Sequence, residues 1–136
     1  MQNASVEWIS EQKFLGVSPS GHGLVMDADG QSNTGATPME LLLIALGGCT
    51  ASDMVTILEK KRQKLVSLVV ECFGERATDP PRVWVKLDVV FRLRGALDEQ
   101  AVKHALELTK DKYCSVAAML QKTAPISWRY EIQPAE

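Results

Sequence analysis

No stretch of this 136-residue sequence approaches the ~20 consecutive apolar residues of a membrane-spanning helix. The longest uninterrupted apolar run opens at Leu41 and is broken at Gly47, so no membrane segment is expected. An excess of positive charge is missing too. Fifteen Lys and Arg face 17 Asp and Glu, and a net charge of -2 provides none of the basic field that nucleic acid requires. The first residues, Met1-Gln-Asn-Ala-Ser-Val-Glu-Trp8, lack the basic start and apolar stretch of a secretory signal, and the expected compartment is the cytoplasm. Only 3 cysteines and 2 histidines occur, with no Cys-x-x-Cys pair, so the linear spacing shows no metal site. In a reducing compartment three such cysteines are reactive or simply buried, rather than structural disulfides. There are no repeats, low-complexity tracts or linkers, and one domain over 1–136 is expected.

What is present is enough to fold. Hydrophobic residues make up 46% of the chain and charged residues 24%, so buried apolar surface can offset the entropy of ordering the backbone. Three short strands are predicted at the start: Val6-Glu-Trp8-Ile9, Lys13-Phe-Leu-Gly-Val17 and His22-Gly-Leu-Val-Met-Asp27. Their tight spacing reads as an antiparallel meander, followed by the loop Gln31-Ser-Asn-Thr-Gly-Ala36. Thr37-Pro38-Met39-Glu40 then has the form of a capping box, with Pro38 at the first helical position. The helix it opens is apolar or small on every face over 41–51, and a helix apolar all round is expected to be buried all round. Gly47-Gly48 within it costs about 1–2 kcal/mol of helix propensity, and a close backbone approach would compensate. The second half is amphipathic and ends at Lys60-Lys61-Arg62, a charge that suits a helix C-terminus. Strands over 65–74 and 82–93 follow as a hairpin around Thr78-Asp-Pro-Pro81. A helix over 98–112 with Asp98 as N-cap, a shorter helix starting at Cys114 and a strand over 126–132 complete an α+β chain with a mostly antiparallel sheet.

Two thiols stand out by placement. Cys114 begins a helix, where unpaired amides favour a thiolate. Cys49 lies inside the apolar helix and has no such support from its own helix. Each is either a reactive thiol or a small core residue. Cys72 sits in an alternating strand and reads as core filler. Asp53 follows Cys49 by four residues on the same helical face, as helix surface or as a partner for a base. Glu40 is first a capping partner and second a functional carboxylate. His22 and His104 read as solvated.

The segments Thr37-Pro-Met-Glu-Leu-Leu-Leu-Ile-Ala-Leu-Gly-Gly-Cys49-Thr-Ala and Tyr113-Cys114-Ser-Val-Ala-Ala-Met-Leu120 resemble the OsmC/Ohr superfamily, the osmotically inducible protein C and organic hydroperoxide resistance proteins. The hairpin Pro80-Pro-Arg-Val-Trp-Val and the three-strand start agree, so the resemblance spans nearly the whole chain. The Gly-Gly-Cys-Thr-Ala and Tyr-Cys-Ser-Val forms are most similar to a branch distinct from typical OsmC and Ohr. The resemblance implies antiparallel sheets wrapped around a long central buried helix in an intertwined homodimer. It also implies a thiol-dependent peroxidase that reduces organic hydroperoxides without any cofactor. Cys49 would attack the peroxide, Cys114 would resolve the product as an intramolecular disulfide, and an external thiol or dithiol would restore both. Glu40, or Met39 one position earlier, matches a family glutamate that pairs with an arginine near the reactive cysteine.

That arginine is the clearest departure. Residues 1–61 contain no arginine, and Lys13 is the only cation before Lys60. Its role would pass to Lys13, to Arg62 or Lys64, or across a dimer to Arg82 or Arg129, or it is lost. Two other functions therefore stand beside the peroxidase. One is a weakly active redox-sensing or small-ligand-binding protein of the same fold. The other is a hot-dog thioesterase, which leaves the second cysteine segment unexplained.

Overall fold

Residues 1–29 and 31–136 are described by the computed structural model, and they form two compact units, Met1–Leu42 and Leu43–Glu136. In the first, β1 (Ser5–Ser10) pairs antiparallel with β2 (Lys13–Val17), and β2 with β3 (Gly23–Asp27), the expected meander. Buried Asp27 accepts hydrogen bonds from the backbone N–H (3.2 Å) and hydroxyl (2.9 Å) of Thr34, which ties the following loop to β3. The loop then passes so near that a Cβ on Gly35 would lie 2.4 Å from the Val25 carbonyl oxygen, a spacing that only glycine allows. Within this unit the apolar side chains of Val6, Trp8 and Ile9 are exposed.

The long helix α1 (Pro38–Lys60) begins as its sequence dictates. The Thr37 N–H donates to Glu40 Oε1 at 2.8 Å, and the Glu40 N–H donates to Thr37 Oγ1 at 3.2 Å, which completes the capping box. At the other end Arg62 takes a left-handed φ of 57°, its N–H donating to Glu59 and the Gln63 N–H to Leu58. These two bonds make a Schellman stop with arginine in the place usually held by glycine.

In the second unit β4 (Lys64–Arg76) pairs antiparallel with β5 (Trp84–Ala96). Next come α2 (Glu99–Leu108), a π-helical turn (Thr109–Tyr113), α3 (Ser115–Leu120) and β6 (Ile126–Gln133). Asp98 is the N-cap of α2, its carboxylate accepting from the Gln100 N–H at 3.1 Å. β6 runs parallel to β5, the exception among the strand-to-strand pairs, because the helical segment carries the chain back before the last strand starts. Leu87, Val89, Phe91 and Leu93 of β5 are fully or almost fully buried. They share one core with Leu46, Met54, Ile57 and Leu58 of α1 and Val102 and Ala105 of α2. Each large side chain in that core contributes roughly 1.5–3 kcal/mol by leaving water.

All-round burial of α1 is not achieved within one chain. Leu42 and Ile44 are 37% and 63% exposed, while the buried positions are Leu46, Thr50, Met54, Ile57 and Leu58. The glycine pair also differs from expectation. A Cβ on Gly47 would make ordinary contact with Cys72 Sγ at 3.5 Å, and one on Gly48 would meet open space, so no backbone crowds either from the same chain. Because Gly, Cys, Thr and Ser interrupt the apolar run without making it polar, α1 at 23 residues is long and apolar enough by composition to cross a membrane. Its middle and end are instead committed to the core with β5 and α2.

The capping box gives a direct test. Thr37→Ala removes the side-chain acceptor for the Glu40 N–H and should lower stability by about 1 kcal/mol. Urea unfolding followed by circular dichroism should show this as a lower midpoint with unchanged slope.

Candidate active site

On α1, Cys49 and Asp53 are one turn apart, and Thr56, Ile57 and Lys60 continue the same stripe. Cys114 comes to this stripe from a local irregularity. The helix begun by α2 widens into the π-turn, and the Cys114 N–H donates to the Thr109 carbonyl at 3.0 Å. Cys114 then leaves helical geometry (φ -74°, ψ 104°) and serves as the N-cap of α3, its Sγ accepting from the Ala117 N–H at 3.3 Å. Residues 65 positions apart are thereby brought together. Cys49 Sγ, Cys114 Sγ and a carboxylate oxygen of Asp53 all lie within 4.8 Å of one another.

The two thiols have different surroundings. Cys114 is 4% exposed, and this burial pushes its thiol up to about 12. The Ala117 N–H works in the opposite direction, as expected for a helix start, but is outweighed. The Cys49 and Asp53 neighbours raise it further. At neutral pH Cys114 is therefore a protonated thiol. Cys49 is half-buried. Burial also raises Asp53 above the ordinary carboxylate range, and its Oδ2 is buried without a hydrogen-bond partner among the described residues. Such an atom loses its hydration and gains nothing in return.

Other candidate residues fall elsewhere. Cys72 packs on the core beside α1, and burial raises its thiol to about 11, the behaviour of strand filler. Glu40 is exposed and engaged in the capping box, nine positions before Cys49 in the sequence. Lys13 pairs with Glu11 at 3.2 Å, and Arg82 donates through Nε to the Ala77 carbonyl at 3.2 Å. Arg62 forms the stop of α1. Lys60, Lys61 and His104 do share a cavity of about 310 Å³ with Asp53, Leu108 and Tyr113. His104 is exposed as expected, but it borders this cavity. Asp53 was the residue sequence reasoning undervalued, although its four-residue offset from Cys49 marked the shared face. Among the described residues, Cys49, Asp53 and Cys114 are also side chains that could hold a metal, a donor set invisible to linear spacing.

A family model described as OsmC-like protein matches residues 30–129. Protein YhfA of Escherichia coli strain K12 is 41% identical over 133 residues, which covers 97% of this chain and 98% of YhfA. The crystal structure of a hypothetical protein from Aquifex aeolicus VF5 superposes with a TM-score of 0.90 at 29% identity, over 100% of this chain and 98% of that one. The organic hydroperoxide resistance protein OhrB of Bacillus subtilis shares the fold at 12% identity, with a TM-score of 0.66 over 95% of this chain and 98% of that one.

The unpartnered carboxylate has a consequence for stability. An acid whose folded pKa is raised binds more protons in the folded state. Stability therefore falls as pH rises from the unfolded carboxylate value through the folded one, then levels off. Asp53→Asn should remove this loss and raise the urea midpoint at pH 7 but not at pH 3. A variant destabilised at pH 7 would mean that the carboxylate has a stabilising partner.

Proposed function

The chain belongs to the OsmC-like protein family, and on that premise we propose that it is a thiol-dependent peroxidase of organic hydroperoxides. The observation that carries this reading is the approach of Cys49 Sγ and Cys114 Sγ to within 4.8 Å, close enough for a disulfide after a small adjustment. The Cys49 thiolate attacks the outer peroxide oxygen, the O–O bond breaks, and an alcohol leaves with one added proton. Cys49 is left as a sulfenic acid. Cys114 condenses with it, a disulfide forms and water departs. An external thiol or dithiol supplies the two electrons that return both cysteines to thiols.

The protonated state of Cys114 supports its assignment as the second reactant, since a thiol held at about 12 does not compete for peroxide. Glu40 is proposed, on the family resemblance alone, as the carboxylate that would hold a cation. The apolar side chains of Leu42, Ile44, Val69 and Phe73, all exposed in one chain, support a homodimer in which a second copy covers them. The thioesterase alternative gives way to family membership. The weakly active redox-sensing reading keeps one observation in its favour, the absence of arginine from residues 1–61.

Sedimentation in dilute buffer should show twice the chain mass, and a folded monomer would remove the dimer. The chemistry is tested with cumene hydroperoxide. Cys114→Ser should react once and stop at a sulfenic acid on Cys49, whereas Cys49→Ser should be nearly inert. Cys72→Ser should turn over like the parent. Equal, slow consumption by all of these proteins would instead favour the redox-sensing reading.

A further inference from the structure

Resolution of the oxidised site poses a proton problem that the two cysteines cannot solve alone. The attacking sulfur of Cys114 must lose a proton, yet the residue is 4% exposed and meets little bulk water. Its one hydrogen-bonding neighbour on α3 is the Ala117 N–H, a donor that cannot take a proton. Once oxidised, Cys49 is a sulfenic acid and a poor base. The remaining group at the cluster is Asp53, with an oxygen within 4.8 Å of both sulfurs. Its Oδ2 is buried without a hydrogen-bond partner, so its lone pairs are not otherwise engaged.

We infer that Asp53 is the base of the resolving step, receiving the Cys114 proton as that sulfur attacks and passing it to the departing hydroxide. This role rests on the peroxidase reading for its substrate, but the proton transfer itself does not. The step balances without further reactants. The Cys114 S–H and Cys49 S–O bonds break, the S–S bond and an O–H bond of water form, and the carboxylate is regenerated. The Cys114 sulfur is oxidised by the electron pair that the sulfenic sulfur gains.

Two features of the surroundings fit the task. Burial raises Asp53 above the ordinary carboxylate range, which narrows its mismatch with a thiol held near 12. Asp53 also borders the cavity of about 310 Å³, a route for the product water to leave. Among the described residues, the titratable groups facing Asp53 are Cys49 and Lys60 on α1, Lys61 just after it, His104 on α2, and Tyr113 and Cys114 where the π-turn ends. Protonated lysines would favour the carboxylate form, whereas ionised thiols would oppose it. A carboxylate without a partner weakens the fold at neutral pH, and this local cost marks the position as a functional one.

The test uses the full-length protein in a Cys72→Ser background and two ways of activating Cys49. In the first, one equivalent of cumene hydroperoxide oxidises the reduced protein. Dimedone trapping reads the sulfenic acid, and loss of thiols reads closure. Asp53→Asn should form the sulfenic acid within about threefold of the parent rate but close the disulfide about 100-fold more slowly. In the second, 5,5′-dithiobis(2-nitrobenzoate) converts Cys49 to a mixed disulfide, and release of the aryl thiolate reports attack by Cys114. That leaving group needs no proton, so this arm isolates the base. Parent closure should rise through an acid titration and then level off. Asp53→Asn should lose that limb and gain about tenfold per pH unit, as hydroxide takes over, while Asp53→Glu should regain it. Wild-type release by Asp53→Asn, or slow release with the parent pH profile in both variants, would overturn the assignment. Failure of the peroxide arm alone, with the aryl thiolate arm as expected, would remove the peroxidase reading and leave Asp53 as the base.

Discussion

The backbone bond from the Cys114 N–H to the Thr109 carbonyl, 3.0 Å long, is the constraint on which the site depends. An α-helix continued regularly from α2 would carry Cys114 onward as one more helical residue. The π-turn instead ends the helix at Tyr113 and releases Cys114 into extended geometry, from which its side chain meets α1. Thr109, fully buried, holds the start of the turn through its hydroxyl, which donates to the Ala105 carbonyl at 2.8 Å. A wider turn of helix is a local departure from ideal packing, and such departures are frequent where a side chain must be aimed.

Once the thiols meet, their unequal burial divides the chemistry. Cys114 is enclosed, and the single amide it meets is too weak to offset lost hydration, so its proton is retained. Cys49, half-buried, is the less enclosed of the two. Asp53 adds negative charge beside Cys114, which opposes its ionisation further. A cation is the missing counterweight, and within one chain the electrostatic influences on Cys114 come from Cys49 and Asp53. Lys60 and Lys61 share a cavity with Asp53, so their nearest consequence is for the carboxylate rather than for either sulfur.

Much of this architecture was legible in the sequence because it is locally encoded. Thr37 and Glu40 satisfy each other's backbone groups across a single turn, and no distant residue is needed to predict it. The Asp98 cap and the start of a helix at Cys114 are local in the same way. The parallel direction of β6 was not legible, since it follows from where α2 and α3 return the chain and not from any periodicity in residues 126–133. Nor was the place of Asp53 in the cluster. Its spacing from Cys49 was visible, but not its approach to Cys114, which is distant in sequence. The resemblance carried both cysteines to the site, and only the tertiary contact brought the carboxylate with them.

The one-sided burial of α1 gives the glycine pair its clearest physical sense. Two adjacent glycines weaken a helix by about 1–2 kcal/mol, and a chain that merely needed small side chains there could use alanine. Gly47 has room for a Cβ against Cys72, and Gly48 has open space, so steric crowding from the same chain requires neither. Ile44, one turn before Gly48 on the helix, is 63% exposed. A bare backbone next to an exposed apolar side chain is the surface another helix can approach most closely, and the return in apolar burial would offset the lost propensity. The same segment carries Cys49 as the residue after Gly48. Consecutive residues point about 100° apart on a helix, so such an approach would meet Gly48 while Cys49 keeps to the face it shares with Asp53.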